Sequence, residues 1–216
     1  MRKQKMRLTF LTPEAKIIST LMHGKHTYGE LRFETGLSDR WLTLKLKELE
    51  GSGILGKAGR WYGLSRELEL HPYELSLQMS FQAERIAQEI AKLDFVQTII
   101  LFGGVVKKNA RQDSDLDVMI IVNEPADEVK QSVYTKISEL ESKFHQAIDP
   151  LILTEDDFIA NVNSHEGGII YGLAEGCEVL IDKTEGKLTK ILHERIDEIK
   201  DTHEHLDEVG IWLRIK

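Results

Sequence analysis

Apolar positions change period along the chain, and the changes mark out its elements. Over residues 13–50 they recur at helical steps. Ile17, Ile18 and Leu21 follow Thr12-Pro13, with proline at the first helical position, and His23-Gly24 ends the run. Thr27 with Glu30 three residues on predicts a capping box for a second short helix, closed by Gly36. Ser38 caps a third, with Leu42, Leu46 and Leu49 as the buried stripe and Arg40, Thr43, Leu44 and Lys47 on the opposite face. Past Gly51 and Gly53, residues 54–57 and 60–64 read as extended pieces joined at Ala58-Gly59 like a hairpin. Trp41 and Trp61 are expected in the core of this segment.

Helical steps return over 67–94, with Pro72 near a start and Leu75, Met79, Ile86, Ile90 and Leu93 recurring. Two short apolar runs, 96–102 and 116–122, then read as strands. Pro125 opens a long amphipathic helix carrying Val129, Val133, Ile137, Leu140 and Phe144. Residues 147–153 form a third strand, and Pro150 sends it to a sheet edge because proline cannot donate to a ladder. A short strand follows at 177–181, and a charged helix over 185–209 with Leu188, Leu192, Ile199 and Leu206 along it. His165 and Glu166 fall in a loop, and Cys177 reads as a small packing residue.

Candidate chemistry gathers between the first two strands of the second half. Gly103-Gly104 breaks the first, a polar and basic loop follows, and the next strand carries Asp115 and Asp117 at its mouth. Side chains two apart on a strand face the same way, so both carboxylates point at one spot. Two like charges there are costly unless a cation lies between them, and magnesium favours carboxylate oxygen and substrate phosphate. Glycine backbone can approach a polyphosphate closely and offer its N–H groups. Asp149, on the third strand, is a further acid of the same kind.

Charge divides the chain. Residues 1–65 hold 12 Lys and Arg against 6 Asp and Glu, a net +6, so the remainder of a chain with net charge −8 carries −14. A basic small module suits nucleic acid, and an acidic remainder suits metal, nucleotide and protein contacts. A single cysteine excludes an internal disulfide and a cysteine cluster for zinc. With no run of eighteen apolar residues and no apolar segment behind the basic N-terminus, the expectation is a soluble, cytoplasmic protein without a membrane span.

Residues 9–65 resemble the winged helix-turn-helix superfamily through Tyr28-Gly29-Glu30-Leu31, Gly36-Leu37-Ser38, Leu46-Lys47-Glu48-Leu49-Glu50 and Arg60-Trp61-Tyr62-Gly63-Leu64-Ser65. That resemblance implies a third helix in the DNA major groove, with Arg40, Thr43 and Lys47 as groove contacts and Lys57 and Arg60 on phosphate. The plain alternative is a dimerisation or docking module with a solvated basic face. Residues 78–182 resemble the minimal nucleotidyltransferases of the DNA polymerase β superfamily, through the glycine turn, the basic loop and Asp113-Ser114-Asp115-Leu116-Asp117.

The second resemblance implies that Asp115, Asp117 and Asp149 are catalytic and hold two Mg²⁺ ions, and that Gly103, Gly104, Lys107, Arg111 and Ser114 bind the nucleotide. The substrate would be a nucleoside triphosphate, ATP by default. The sequence departs from the family at Gly104, where a serine is usual, at Val105, where an arginine is common, and at Lys108, where a glycine is usual. The expected architecture is a two-domain α+β or α/β chain: a winged helix over 1–66, a connecting helix over 67–94, a nucleotidyltransferase core with a mixed sheet and flanking helices over 95–182, and a C-terminal helix over 183–216. The implied function is Mg²⁺-dependent transfer of a nucleoside monophosphate, AMP first, to an unidentified acceptor. The alternatives are a DNA-binding regulator with a degenerate nucleotidyltransferase-like domain and an antitoxin-type protein that binds a toxin partner. A homodimer fits each of them.

Overall fold

The structure, a computed structural model, describes residues 12–65, 72–111, 113–164, 168–207 and 209–215. The first residue of the expected connecting helix, Glu67, and the pair His165 and Glu166 lie outside the described residues. No helix among the described residues is long and apolar enough to cross a membrane.

Three helices and a small sheet make the N-terminal segment. They are α1 (Pro13–Met22), β1 (His26–Thr27), α2 (Tyr28–Thr35), α3 (Asp39–Gly51), β2 (Leu55–Ala58) and β3 (Trp61–Leu64). The caps stand where local chemistry calls for them. Thr12 Oγ1 accepts from the N–H of Ala15 at 3.2 Å, and Ser38 Oγ from Trp41 at 3.4 Å. Thr27 and Glu30 form the reciprocal box, with the Thr27 N–H donating to Glu30 Oε2 at 2.6 Å. Gly36 closes α2 at φ +64, where a side chain would be strained and would also meet Arg85. The antiparallel sheet has the order β1-β3-β2, so the hairpin gains a third short strand that two residues could not signal in the sequence. Ile17, Leu21, Leu31, Leu42, Leu46, Leu49, Leu55 and Tyr62 form its core.

The two tryptophans are corrected by the structure: Trp41 is 51% and Trp61 37% exposed. Trp41 precedes the Leu42–Leu46–Leu49 stripe and turns off it. Trp61 alternates with Tyr62, and it is the tyrosine that faces inward.

The helix α4 (Pro72–Ile90) leads to a mixed four-stranded sheet of order β6-β5-β4-β7. Its strands are β4 (Val96–Phe102), β5 (Leu116–Val122), β6 (Ile148–Thr154) and β7 (Cys177–Asp182). The pair β5–β6 is parallel, and β4 runs antiparallel to both β5 and β7. Pro150 thus lies on an edge strand, as its missing N–H requires. A one-turn helix α5 (Gly103–Val106) leaves β4, and α6 (Ala126–Phe144) makes the crossover from β5 to β6.

Alternation in β4 and β5 buries both faces of the sheet. Ile99, Leu101, Leu116, Val118 and Ile120 pack with α4 and α6. Ile100, Met119 and Ile121 face α7 (Glu155–Val162), α8 (Ile169–Glu175) and α9 (Lys187–Thr202). Three layers result, with the sheet in the middle.

Beyond α9 the expected single C-terminal helix is corrected. The chain turns extended at His203 and forms a hairpin, β8 (His203–Leu206) with β9 (Ile211–Arg214), about a turn in which Gly210 has φ +64. Trp212 fastens the hairpin to α8 by donating its indole N–H to the Tyr171 carbonyl at 3.1 Å.

Candidate active site

Register brings the acids together. In the parallel pair β5–β6, Asp117 stands directly opposite Asp149, and both fall on the face shared with Met119, Ile121, Leu151 and Leu153. Asp115 lies two residues before Asp117, just ahead of the strand. Leu101 pairs with Val118 across β4–β5, which places the Gly103 turn at the same end of the sheet as the two strand mouths.

Gly103 has φ +72, a conformation that L side chains rarely adopt. A Cβ there would overlap the Asp117 carboxylate, lying 2.7 Å from its Cγ. The turn is therefore glycine because the aspartate occupies the space a side chain would need. The Gly104 N–H donates to that same carboxylate. A Cβ on Gly104 would lie 3.1 Å from Asn109 Oδ1, so a small side chain would press on the end of Asn109.

Electrostatics register the convergence. Asp117 is half-buried, and its carboxyl is held above the usual carboxylate range, first by burial and then by the negative charges of Asp115 and Asp149. The Gly104 and Asp117 amides oppose that rise. Asp115 and Asp149 are exposed. The three aspartates are not among the groups of described residues whose ligand atoms all lie within 4.8 Å of one another. Oxygen donors mounted on adjacent strands, one with its charge disfavoured by the other two, fit a hard divalent cation.

Around the acids the remaining candidates divide. Ser114 braces the loop, with Oγ accepting from the Arg111 N–H at 2.9 Å and its carbonyl accepting from Gln146 Nε2 at 2.9 Å. Arg111 is exposed. Lys107 is drawn to Glu175 at the end of α8, a partner 68 residues on that no local signal announces. Lys108 sits at φ 62, with Nζ 3.5 Å from Ser80 Oγ, and the Ala110 N–H donates to Ser76 Oγ at 3.1 Å, so α4 supports the loop. Cys177 is half-buried, and burial pushes its thiol up to about 11, as befits a packing residue.

The expected nucleic-acid contacts Arg40, Thr43, Lys47, Lys57 and Arg60 are all exposed. Thr43 Oγ1 lies 3.0 Å from the Tyr28 hydroxyl, Lys57 stands 5.1 Å from the Tyr62 ring and Arg60 5.1 Å from the Trp61 ring. Arg40, Thr43 and Lys47 lie on α3 and Lys57 and Arg60 on the β2–β3 hairpin, well separated in sequence from the acids.

The three acids and the glycine turn all fall between β4 and β6, within residues 84–185. Residues 84–185 match the family model described as "Polymerase beta, Nucleotidyltransferase", and this part of the chain is a nucleotidyltransferase domain. No curated protein matches the chain. Similar solved structures include one described as a toxin-antitoxin with AMP-PNP, 13% identical, covering 55% of this chain and 87% of that one at a TM-score of 0.38. Another is a tri-AMPylated Shewanella oneidensis HEPN toxin in complex with MNT antitoxin, 13% identical, covering 55% and 84% at a TM-score of 0.34.

Proposed function

We propose that the domain transfers a nucleoside monophosphate from a nucleoside triphosphate, ATP first among donors, to an acceptor hydroxyl with release of pyrophosphate, with Mg²⁺ held by Asp115, Asp117 and Asp149. The observation that carries this reading is the pairing of Asp117 with Asp149 on neighbouring strands, beside a Gly103 turn that has no room for a side chain. Mg²⁺ at these oxygens would neutralise the clustered charge and polarise the triphosphate. Asp149, exposed at the edge strand, would take the proton of the acceptor hydroxyl. Ser114 would hold the loop that carries Asp115, and Arg111 and Lys107 would steady the triphosphate, Lys107 on leaving Glu175. The Gly103 amide, and the Gly104 amide on release from Asp117, would donate to the phosphates.

The division into a winged helix, a connecting helix, a core and a C-terminal part belongs to the same proposal, with Arg40, Thr43 and Lys47 reading DNA bases and Lys57 and Arg60 on backbone. Their exposure together on α3 and the hairpin supports it. The acceptor in this account is a protein partner of the toxin kind, or a nucleic acid delivered by the N-terminal segment. A regulator without turnover is the second reading, favoured by two observations: Gly104 brings no hydroxyl to phosphate, and Lys107 is engaged by Glu175.

Each labelled nucleoside triphosphate, incubated with the protein, Mg²⁺ and a native cell extract, should label an acceptor. In Asp115→Asn/Asp117→Asn that labelling should fall on the order of 10³-fold or more. Labelling equal in wild type and double variant would remove the enzymatic reading. On DNA, Arg40→Ala and Lys47→Ala should each weaken binding in a gel shift and lower the salt slope by about 1. Unchanged binding in both would remove the groove assignment.

A further inference from the structure

A second cluster of ligand-type side chains lies where the N-terminal segment meets the nucleotidyltransferase domain. His26 on β1, Glu34 on α2 and His145 at the end of α6 have donor atoms that all lie within 4.8 Å of one another. The side chains of His26 and Glu34 are fully buried. The rings of His26 and His145 meet edge to face at 4.7 Å, next to the contact of Phe33 with Phe144 at 5.2 Å that joins the two parts.

Four features set this cluster apart from a structural ion pair. First, His26 Nδ1 lies 2.9 Å from the Gly24 carbonyl, an acceptor only, so Nδ1 carries the proton and Nε2 is turned toward Glu34. A backbone carbonyl that fixes the tautomer in this way is the usual outer support of a metal-binding histidine. Second, Nε2 lies 3.1 Å from Glu34 Oε1, a charge contact that outweighs burial and raises the His26 pKa, yet its angle is poor for a hydrogen bond and leaves both Glu34 oxygens and His26 Nε2 without a well-formed one. Buried polar atoms of this kind are costly unless something else satisfies them. Third, Arg85 interacts with Glu34 by charge but does not hydrogen-bond it. Fourth, His145 stands at φ 51 at the C-cap of α6, a left-handed position where glycine or asparagine is the usual choice. His23, the C-cap of α1, adds a further buried Nε2 without a partner and feels both other histidines. His23 and His145 are thus both helix C-cap residues.

We propose that His26, Glu34 and His145 bind one divalent transition-metal ion of the zinc type, with His23 or water as the fourth ligand, clamping the N-terminal segment onto the nucleotidyltransferase domain. Imidazole nitrogen with one carboxylate suits Zn²⁺ and disfavours Mg²⁺, so this site is chemically distinct from the aspartates. The ligands come from both sides of the junction, and occupancy would fix how the basic face is held relative to the acidic site.

The test uses the full chain, stripped with chelator and titrated with Co²⁺ and then Zn²⁺. One equivalent of Co²⁺ should give visible d–d absorption, one equivalent of Zn²⁺ should displace it, and Zn²⁺ should raise the melting temperature. Asp115→Asn/Asp117→Asn should behave as wild type. His145→Asn, exposed and compatible with the left-handed backbone, should melt like wild type without metal yet lose Zn²⁺ affinity by more than the roughly 10–100-fold that loss of an outer partner costs. Glu34→Gln should lose it too. Absence of stoichiometric uptake, or uptake unchanged in His145→Asn, overturns the proposal and leaves His26 and Glu34 as a buried ion pair.

Discussion

The N-terminal segment and the sheet domain place their charged groups in opposite ways. On α3 and its hairpin the basic side chains stand apart on an exposed face, two of them resting on aromatic rings, and no fold constraint forces them together. In the sheet, register drives Asp117 against Asp149, Asp115 adds its charge, and the Gly103 turn closes on the same carboxylate. A solvated charged face costs the fold little, whereas a set of like charges held on adjacent strands is destabilising on its own and calls for a counter-ion. The difference makes the sheet end the place where like charges cost the fold stability, as the proposed metal site requires.

Gly103→Ala should break that contrast most sharply. The new Cβ meets Asp117 and forces a left-handed backbone on alanine, so the carboxylate must move. Displacement of a reacting group by about 1 Å can cost about 10²-fold, and nucleotidyl transfer should fall by that order while the gel shift that tests the N-terminal segment stays the same. Equal activity in Gly103→Ala would mean that Asp117 is not held by the turn.

Thr27→Ala works on the other region. Removing the hydroxyl that accepts from the Glu30 N–H, and with it half of the capping box, should cost about 0.5–2 kcal/mol in denaturant melts. Transfer activity should be unchanged. Coupled loss of activity would show that the two parts do not divide the work.

In thermal stability, as distinct from transfer, Asp117→Asn should give a small effect with a diagnostic sign. The folded-state pKa of Asp117 lies above its unfolded value, so the native state holds the proton more tightly. Its contribution to metal-free stability is favourable at low pH and is lost as pH rises from the unfolded value through the raised folded one. At neutral pH the ionised side chain therefore destabilises the metal-free protein. Asparagine should raise the metal-free melting temperature and abolish the rise caused by Mg²⁺. A lower melting temperature would show that Asp117 is stabilised by contacts outweighing its like-charged neighbours.

What was legible in the sequence follows the range of the forces. Caps act over three residues, and Thr12, Thr27 with Glu30, Gly36 and Ser38 all stand where the pattern puts them. The edge position of β6 follows from Pro150, whereas Asp115 stands just ahead of β5 and not on it as the strand period expects. Features that depend on distant partners were not legible. Glu175 reaches Lys107 across 68 residues, and the two-residue β1 exists only because β3 pairs with it. Helices α7 and α8 are short, and their apolar residues find meaning only against the sheet. Leu206 continues the helical spacing of Leu188, Leu192 and Ile199, yet the chain has already turned into the hairpin that Trp212 holds to α8. Trp41 and Trp61 show the limit of side-chain type alone, since neighbouring leucines and Tyr62 fill the core in their place.

The most direct test of the central claim is diffraction from a crystal soaked with Mn²⁺ and a non-hydrolysable triphosphate analogue, recorded at a wavelength where manganese scatters anomalously. The account predicts an anomalous peak bound by carboxylate oxygens of Asp115, Asp117 and Asp149, with the phosphates against the Gly103-Gly104 turn. Well-ordered carboxylates pointing apart, with no peak between them and no analogue at the turn, would contradict it.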